Sequence, residues 1–382
     1  MKIVVTGGPV HAHLDPVKII TNGFKGRMML EIAEDLTKKN IEVVFICAKH
    51  VAPKDIGTYV GQVVVHNGFE DYRDKVMKYA QDADAVVLGA AVANLIPLKP
   101  WKEKFPSHQY KPGDIIPIDF TIAPRVIDQV KRAMKKSAHL FGFKLLAGHP
   151  HDELIRAAYE VLLESKATCV FANDATDKSS LLTKYAVMKD RSIHEMKLPY
   201  VADFILRLME DEYYETRVVA EIAPMDCFRA QDEAWKQAEG LIEAHKDEFV
   251  EVEGGMKFGT VAVRIKDPFI GSGTNMFMTT SRGKNELDGM PVKVLSVDHE
   301  RLQIQATSKA TLNAPLLHWI FSQYPHVYSI VHLHRQENGL PTYPYAPPGT
   351  KRDSIRGLPC RSFNIKGHGC FLLGSENGEV IK

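Results

Sequence analysis

The strongest constraint on the fold is an alternation. Up to about residue 210, short and predominantly apolar runs take turns with segments of helical periodicity, and beyond that point the rhythm stops. The apolar runs are Ile3–Val5, Val43–Cys47, Ala85–Ala93, Ile116–Phe120, Leu140–Leu145 and Thr168–Ala172. Helical patterns cover Asp71–Gln81, Pro124–Lys136, Asp152–Lys166 and Pro199–Met209, and a first helix entered at Gly26 carries Met28, Met29, Ile32, Ala33 and Leu36 at helical spacing. A strand without a polar face is buried on both sides. Strands of that kind, each followed by a helix, predict an α/β fold whose parallel sheet is covered by helices on both faces.

Ligands of such sheets bind beyond the carboxyl ends of the strands, and the unusual residues fall there. Gly7 and Gly8 follow the first run, Ala90 to Asn94 the third, Gly142-Phe143 a later one, and Asn173-Asp174 the run that ends at Ala172. Glycines at a strand end let backbone approach a ligand, because no Cβ intervenes. The helix start at Gly26 offers unpaired N–H groups and a partial positive charge, to which Lys25 and Arg27 add full charges, so an anion fits there. The arrangement is Rossmann-like without being a dinucleotide fingerprint, since a long insertion between Gly8 and Gly26 replaces G-x-G-x-x-G.

Within that insertion, Asp15-Pro16-Val17-Lys18, Ile20, Asn22, Gly26 and Met28 form a loop that resembles the signature of the phosphopantothenoylcysteine synthetase family. Lys18 stands where the family has arginine, and Arg27 where it has lysine. The similarity extends through Ala90-Ala91-Val92-Ala93-Asn94, Lys104, Gly142-Phe143 and Ala172-Asn173-Asp174. It implies a carbon–nitrogen ligase that uses CTP or ATP with Mg²⁺, in which a carboxylate attacks the α-phosphorus and an amine then displaces the nucleotide from the acyl-nucleotide. The resemblance gives catalytic parts to Asn22, Lys18 and Lys104, and nucleotide contacts to Gly7, Gly8, Gly26, Arg27, Ala91, Asn94, Phe143, Asn173 and Asp174. The chain departs from the family at Asn94, at Ala123-Pro124-Arg125, and after Phe143, where Lys144-Leu145-Leu146-Ala147 follows.

Lys plus Arg number 48 against 47 Asp plus Glu among 382 residues. That balance supplies no field for nucleic acid or an acidic membrane surface, so the partners expected are a small carboxylate and an amine. The five cysteines are scattered and without CxxC spacing, which fits reduced thiols. The start of the chain lacks a signal-peptide pattern, no apolar run reaches spanning length, and the cytoplasm is the expected compartment.

Past residue 212 the pattern becomes β-rich, with strands expected at Gly259–Ile265, Asn275–Thr280 and Val292–Val297. A helix at Ala314–Gln323 leads to an apolar strand ending in His332-Leu333-His334. Residues two apart in a strand face one side, so both imidazoles can reach one metal ion, and His368 in Gly367-His368-Gly369 is the third candidate. With Pro325 and Pro348-Gly349-Thr350, these residues are similar to the class II aldolase and adducin head family. That likeness implies a zinc ion on His332, His334 and His368, while the family's acid–base glutamate is Ala314 here. The phosphate-side segment also departs, and only Thr280, Ser281 and Gly283 loosely match it.

The expected organisation is a ligase-like domain at 1–212, a linker at 213–227 and an aldolase-like α/β domain at 228–382. A zinc-dependent lyase, decarboxylase or dehydratase acting on a sugar-like phosphate is the enzymatic alternative, and an oligomeric scaffold the non-enzymatic one. Both resemblances imply a homo-oligomer.

Overall fold

The computed structural model describes residues 1–49, 61–176, 183–220, 225–251, 257–266, 275–281 and 291–381. Gly283 lies outside them. The chain divides into two compact units, Met1–Met209 and Glu210–Lys382.

In the first unit the main sheet contains β1 (Lys2–Gly7), β2 (Glu42–Ala48), β3 (Gln62–His66), β4 (Ala85–Leu88), β5 (His139–Leu146), β6 (Cys169–Asp174), β7 (Thr183–Met188) and β8 (Ile193–Lys197). Their order is β8-β7-β6-β5-β4-β1-β2-β3. The six strands from β6 to β3 run parallel, and β7 and β8 turn back antiparallel at the edge. The helices are α1 (Arg27–Lys38), α2 (Phe69–Ala80), α3 (Val126–Ala133), α4 (His151–Ser165) and α5 (Val201–Met209). Val4, Val44, Val86, Leu140 and Val170 belong to the core beneath α2, α3 and α4. The alternate residues Ile3, Val5, Phe45 and Phe141 are equally buried, and period-2 geometry sends them to the opposite face, where α1 packs against α5. Burial of Met29, Ile32 and Leu36 fixes α1, each contributing roughly 1.5–3 kcal/mol.

Two expectations changed, and one strand was missed. The run Ala85–Ala93 breaks after Leu88, and Ala91–Val92 pairs with Pro9–Val10 outside the main sheet; Gly89 at the break lies against Met29, whose Sδ a Cβ there would meet at 2.1 Å. The strand expected at 116–120 starts only at Phe120 and pairs antiparallel with Leu95–Pro97, outside the main sheet; Pro117 removes a ladder donor. The edge strand β3 was hidden in the sequence, since one of its faces is open and its ends are polar.

The second unit carries β9 (Glu215–Val218), α6 (Met225–Ala244), β10 (Thr260–Arg264), β11 (Phe277–Thr279), β12 (Val292–Asp298), β13 (Gln303–Ala306), α7 (Ala314–Gln323), β14 (Ser329–Leu333), β15 (Thr342–Tyr343), α8 (Lys351–Ser354), β16 (Phe363–Ile365), β17 (Gly369–Gly374) and β18 (Val380–Ile381). The sheet order is β9-β13-β12-β11-β10-β14-β17-β16-β15, with β18 on β17, and it is antiparallel apart from the pairs β9–β13 and β15–β16. Part of the expected linker is thus a strand of this sheet. One face, with Ala262, Ile330 and Phe371, packs on Leu317, Ile320 and Phe321 of α7. The other, with Val261, Val331 and Leu333, packs on Ala234 and Ala238 of α6. Gly349, at φ +82°, leads into Thr350, whose hydroxyl accepts the Asp353 N–H and caps α8.

Candidate functional site

Beyond β1 the chain is stitched to the loop that leaves β4. Gly8 adopts φ +81°, and its carbonyl accepts the Ala91 N–H at 2.9 Å, while Val10 accepts that of Ala93 at 2.8 Å. A tight antiparallel pair, Ala12–His13 with Ile19–Ile20, closes the loop that contains Asp15. The buried Asp15 carboxylate organises it. This carboxylate accepts the backbone N–H groups of Val17 (2.6 Å), Lys18 (2.5 Å) and, ninety residues away, Phe105 (2.9 Å), and it pairs with Lys18 Nζ at 3.2 Å. Burial alone would push this carboxyl up, but the N–H groups of Lys18, Phe105 and Val17 outweigh it and hold the group well below the usual range. Lys18 Nζ also lies 5.4 Å from the centre of the Phe105 ring. Lys104, exposed, is therefore one residue from a backbone group tied to the Lys18 loop.

A cleft of about 470 Å³ opens at the carboxyl ends of β4 and β5, with Tyr72, Val92, Asn94, Arg125, Phe143 and Lys144 in its wall. Asn22 reaches this wall, donating its side-chain N–H to the Val92 carbonyl at 3.0 Å. Phe143 stacks on Phe171 with ring centres 5.1 Å apart. Arg125 is ion-paired to Glu164 at 2.5 Å. Tyr72 is fully buried, donates to Thr6 Oγ1 at 3.1 Å, and its phenol is pushed up to about 12 by that burial.

Several sequence-predicted positions serve the protein itself. A Cβ on Gly7 would come 2.7 Å from Met29 Cβ and 2.9 Å from the Phe45 ring, so its small size admits α1. Gly26 caps α1 at φ +74° with no side-chain cap, and Arg27 is largely exposed and paired with Glu31 at 2.8 Å. Asp174 accepts from Gly148 N, Thr176 N and Thr176 Oγ1, which makes it the organiser of a turn, and Asn173 lies in the ladder opposite Leu145. Ala91 pairs with Pro9. Sequence reasoning marked Arg125 and Lys144 only as departures; their shared place in the cleft wall depends on packing between α3 and β5.

In the second unit the three histidines meet. His332 on β14, His334 just past its end and His368 just before β17 bring their ligand atoms within 4.8 Å of one another. Two strands achieve this, because β14 and β17 pair with His332 opposite Phe371. A Cβ on Gly369 would lie 2.0 Å from the Leu333 carbonyl oxygen, and its φ is +142°, so only glycine allows this approach. His332 Nδ1 lies 3.0 Å from the Cys370 carbonyl, the second hydrogen bond that commonly fixes a metal-ligating imidazole with Nε2 outward. Three imidazoles this close fit a zinc-class ion. Thr260 faces His332 across β10–β14, and its hydroxyl meets Thr311 Oγ1 at 3.1 Å and Asn313 Nδ2 at 3.3 Å. Ala314, fully buried, offers no acid or base. His318, the helical histidine, contacts His299 instead, with ring centres 5.5 Å apart.

Residues 1–203, more than half of the chain, match the family described as the DNA/pantothenate metabolism flavoprotein C-terminal domain, and the chain belongs to that family. Among curated proteins it is similar to the coenzyme A biosynthesis bifunctional protein CoaBC of Thermococcus kodakarensis, 28% identical over 172 residues, 45% of this chain and 41% of the relative. The namesake from Mycolicibacterium smegmatis is 27% identical over 158 residues, 41% of this chain and 37% of the relative. The chain thus spans about two fifths of the length of these relatives. Among solved structures, the DNA/pantothenate metabolism flavoprotein from Streptococcus pneumoniae is 24% identical, covers 54% of this chain and 95% of its own, and aligns with a TM-score of 0.46. An aldolase II superfamily protein from Pseudomonas syringae is 14% identical over 40% of this chain and 68% of its own, with a TM-score of 0.28.

Proposed function

We propose that the first unit is a nucleotide-dependent acid–amine ligase of the phosphopantothenate–cysteine type, working through an acyl-nucleotide with CTP or ATP and Mg²⁺. The observation that carries this reading is the bond from Asn22 to Val92, which sets the side chain of the signature loop against the cleft that Asn94 and Phe143 line. In the reaction, a substrate carboxylate attacks the α-phosphorus, pyrophosphate leaves, and an amine then takes the acyl group while the nucleoside monophosphate departs. Lys18 and Lys104 neutralise phosphate charge, and Asn22 donates to the acyl-nucleotide as charge develops on it. The remaining nucleotide contacts fall to Gly7, Gly8, Gly26, Ala91, Asn94, Phe143, Asn173 and Asp174, with Arg27 as an added cation. The described cysteines Cys47, Cys169, Cys360 and Cys370 are free thiols, in keeping with a cytoplasmic setting. Among the described residues no helix is long and apolar enough to cross a membrane. The reading carries a homo-oligomer with it. Its test is pyrophosphate release from CTP or ATP with 4′-phosphopantothenate and cysteine: nucleotide-dependent release supports it, and no release with any of the four common triphosphates defeats it.

For the second unit we infer a zinc-class ion on His332, His334 and His368, carried by the 4.8 Å convergence of their ligand atoms. When bound, the ion would polarise a carbonyl of a sugar-like phosphate, as a lyase, decarboxylase or dehydratase requires. Ala314 leaves the proton transfer to a group of the substrate or to water. Metal analysis of the purified chain and its His332→Ala variant tests this, with one bound ion per chain expected to disappear in the variant.

A further inference from the structure

We propose that His11 and His13 form a second, open metal site for a zinc-class ion, at the carboxyl end of β1. Their Nε2 atoms lie 3.2 Å apart, with the rings edge-on at 86° and centres 4.7 Å apart. Two imidazole nitrogens sharing one tetrahedral zinc at about 2.05 Å stand roughly 3.3 Å apart. The ring separation also falls within the 4.6–5.0 Å found among His332, His334 and His368. The two rings thus bring one nitrogen each to the separation that a shared ion requires.

Packing holds that aim. His13 is pinned opposite Ile19 in the tight strand pair. Gly68, at φ +85°, presses the turn before α2 against both residues; a Cβ there would lie 3.1 Å from His13 Cδ2 and 3.4 Å from the His11 carbonyl oxygen. Both histidines remain partly exposed, so an ion has a way in. Behind them the buried His66 has its ring centre 6.5 Å from that of His11, and it meets Tyr72 edge-on at 5.2 Å. That is about an ångström more than two imidazoles on one tetrahedral ion would show, so His66 backs the site rather than joining it. Two protein ligands leave the remaining positions to water or to an anionic oxygen. Imidazole donors select zinc, cobalt, nickel or copper over magnesium, so this site is separate from the Mg²⁺ of the ligase reading. The same 3.2 Å also suits an N–H of one ring donating to the other, and experiment separates the two cases.

The test uses the full chain carrying His332→Ala and His334→Ala, which removes the triad. Titration with Co²⁺ should give one further equivalent with visible d–d absorption, weakened at least tenfold by His11→Asn and by His13→Asn. A second readout needs no substitution in the loop: in the same background, Zn²⁺ should slow carbethoxylation of His11 and His13 at least fivefold, leaving the exposed His108 unchanged. Cobalt binding indifferent to both Asn variants, or equal modification rates with and without Zn²⁺, would overturn the proposal.

Discussion

The two units solve the placing of chemistry in opposite ways. In the first, the candidate residues sit on loops past the ends of parallel strands, and single side chains tie those loops together: Asp15 holds Phe105, and Asn22 holds Val92. In the second, strand register itself carries the site, since β14 and β17 cannot pair as they do without bringing His332 and His368 to one point. A loop-borne site is adjustable and depends on individual hydrogen bonds, whereas a strand-borne site is rigid and depends on the ladder.

The harshest way to break this contrast is to strike the ladder. Gly369→Ala forces a Cβ against the Leu333 carbonyl at a backbone angle that alanine resists. We expect about 3–5 kcal/mol of destabilisation and loss of bound metal, read by calorimetry and metal analysis, with nucleotide-dependent stabilisation of the first unit retained. A loop substitution should behave in the converse manner. Asn22→Asp keeps its shape but replaces a donor by a charge facing phosphates. It should lower ligase turnover about a hundredfold, roughly 3 kcal/mol of transition-state stabilisation, while the lost donation to Val92 lowers the stability of the first unit by only about 1–2 kcal/mol; full turnover in that variant would remove Asn22 from the chemistry.

The same contrast explains what could be read before folding. The period-2 spacing of His332 and His334 announces a shared face, and the neighbouring glycines of His368 hint at a close approach, so the triad was legible. The parallel sheet was legible as well, because Ile3–Val5, Val43–Cys47 and Leu140–Phe143 have no polar face to expose. The role of Asp15 was not, because its third N–H partner, Phe105, lies ninety residues on and no local pattern links them. The same holds for the cleft wall, where Arg125 and Lys144 come together only through the packing of α3 on the sheet. The packing part of Gly7 was hidden for a related reason: a glycine that admits Met29 and one that admits a ligand look the same in a sequence.

A gentler probe is acid. His318 sits on α7 beside His299, where burial first, then the neighbouring His299 and Arg264, lower its imidazole to about 4. The unfolded chain would take up that proton near pH 6.5, so between pH 6.5 and 4 the unfolded state binds more protons and folding of the second unit weakens as pH falls. The loss approaches about 3 kcal/mol and levels off below pH 4. His299, also lowered by burial and held by the Tyr214 hydroxyl at 2.6 Å, adds in the same direction. Replacing His318 with glutamine should flatten the pH dependence of unfolding in this unit. An unaltered profile would mean that other groups set it.

The smallest effect sharpens the comparison most finely. Arg27 stands at the first position of α1, with its side chain 88% exposed and paired, among the described residues, to Glu31 one turn on. An exposed pair at that spacing contributes a few tenths of a kcal/mol, so Arg27→Ala should leave the melting temperature within about a degree. Its charge nevertheless lies at the uncapped amino end of α1, where an incoming phosphate gains from each added cation. If the loop-borne site gathers its phosphate contacts from separate side chains, the KM for nucleotide should rise severalfold in Arg27→Ala while kcat holds, more steeply at low ionic strength than at high. A KM that ignores both the substitution and the salt would confine phosphate recognition to Lys18, Lys104 and the cleft wall.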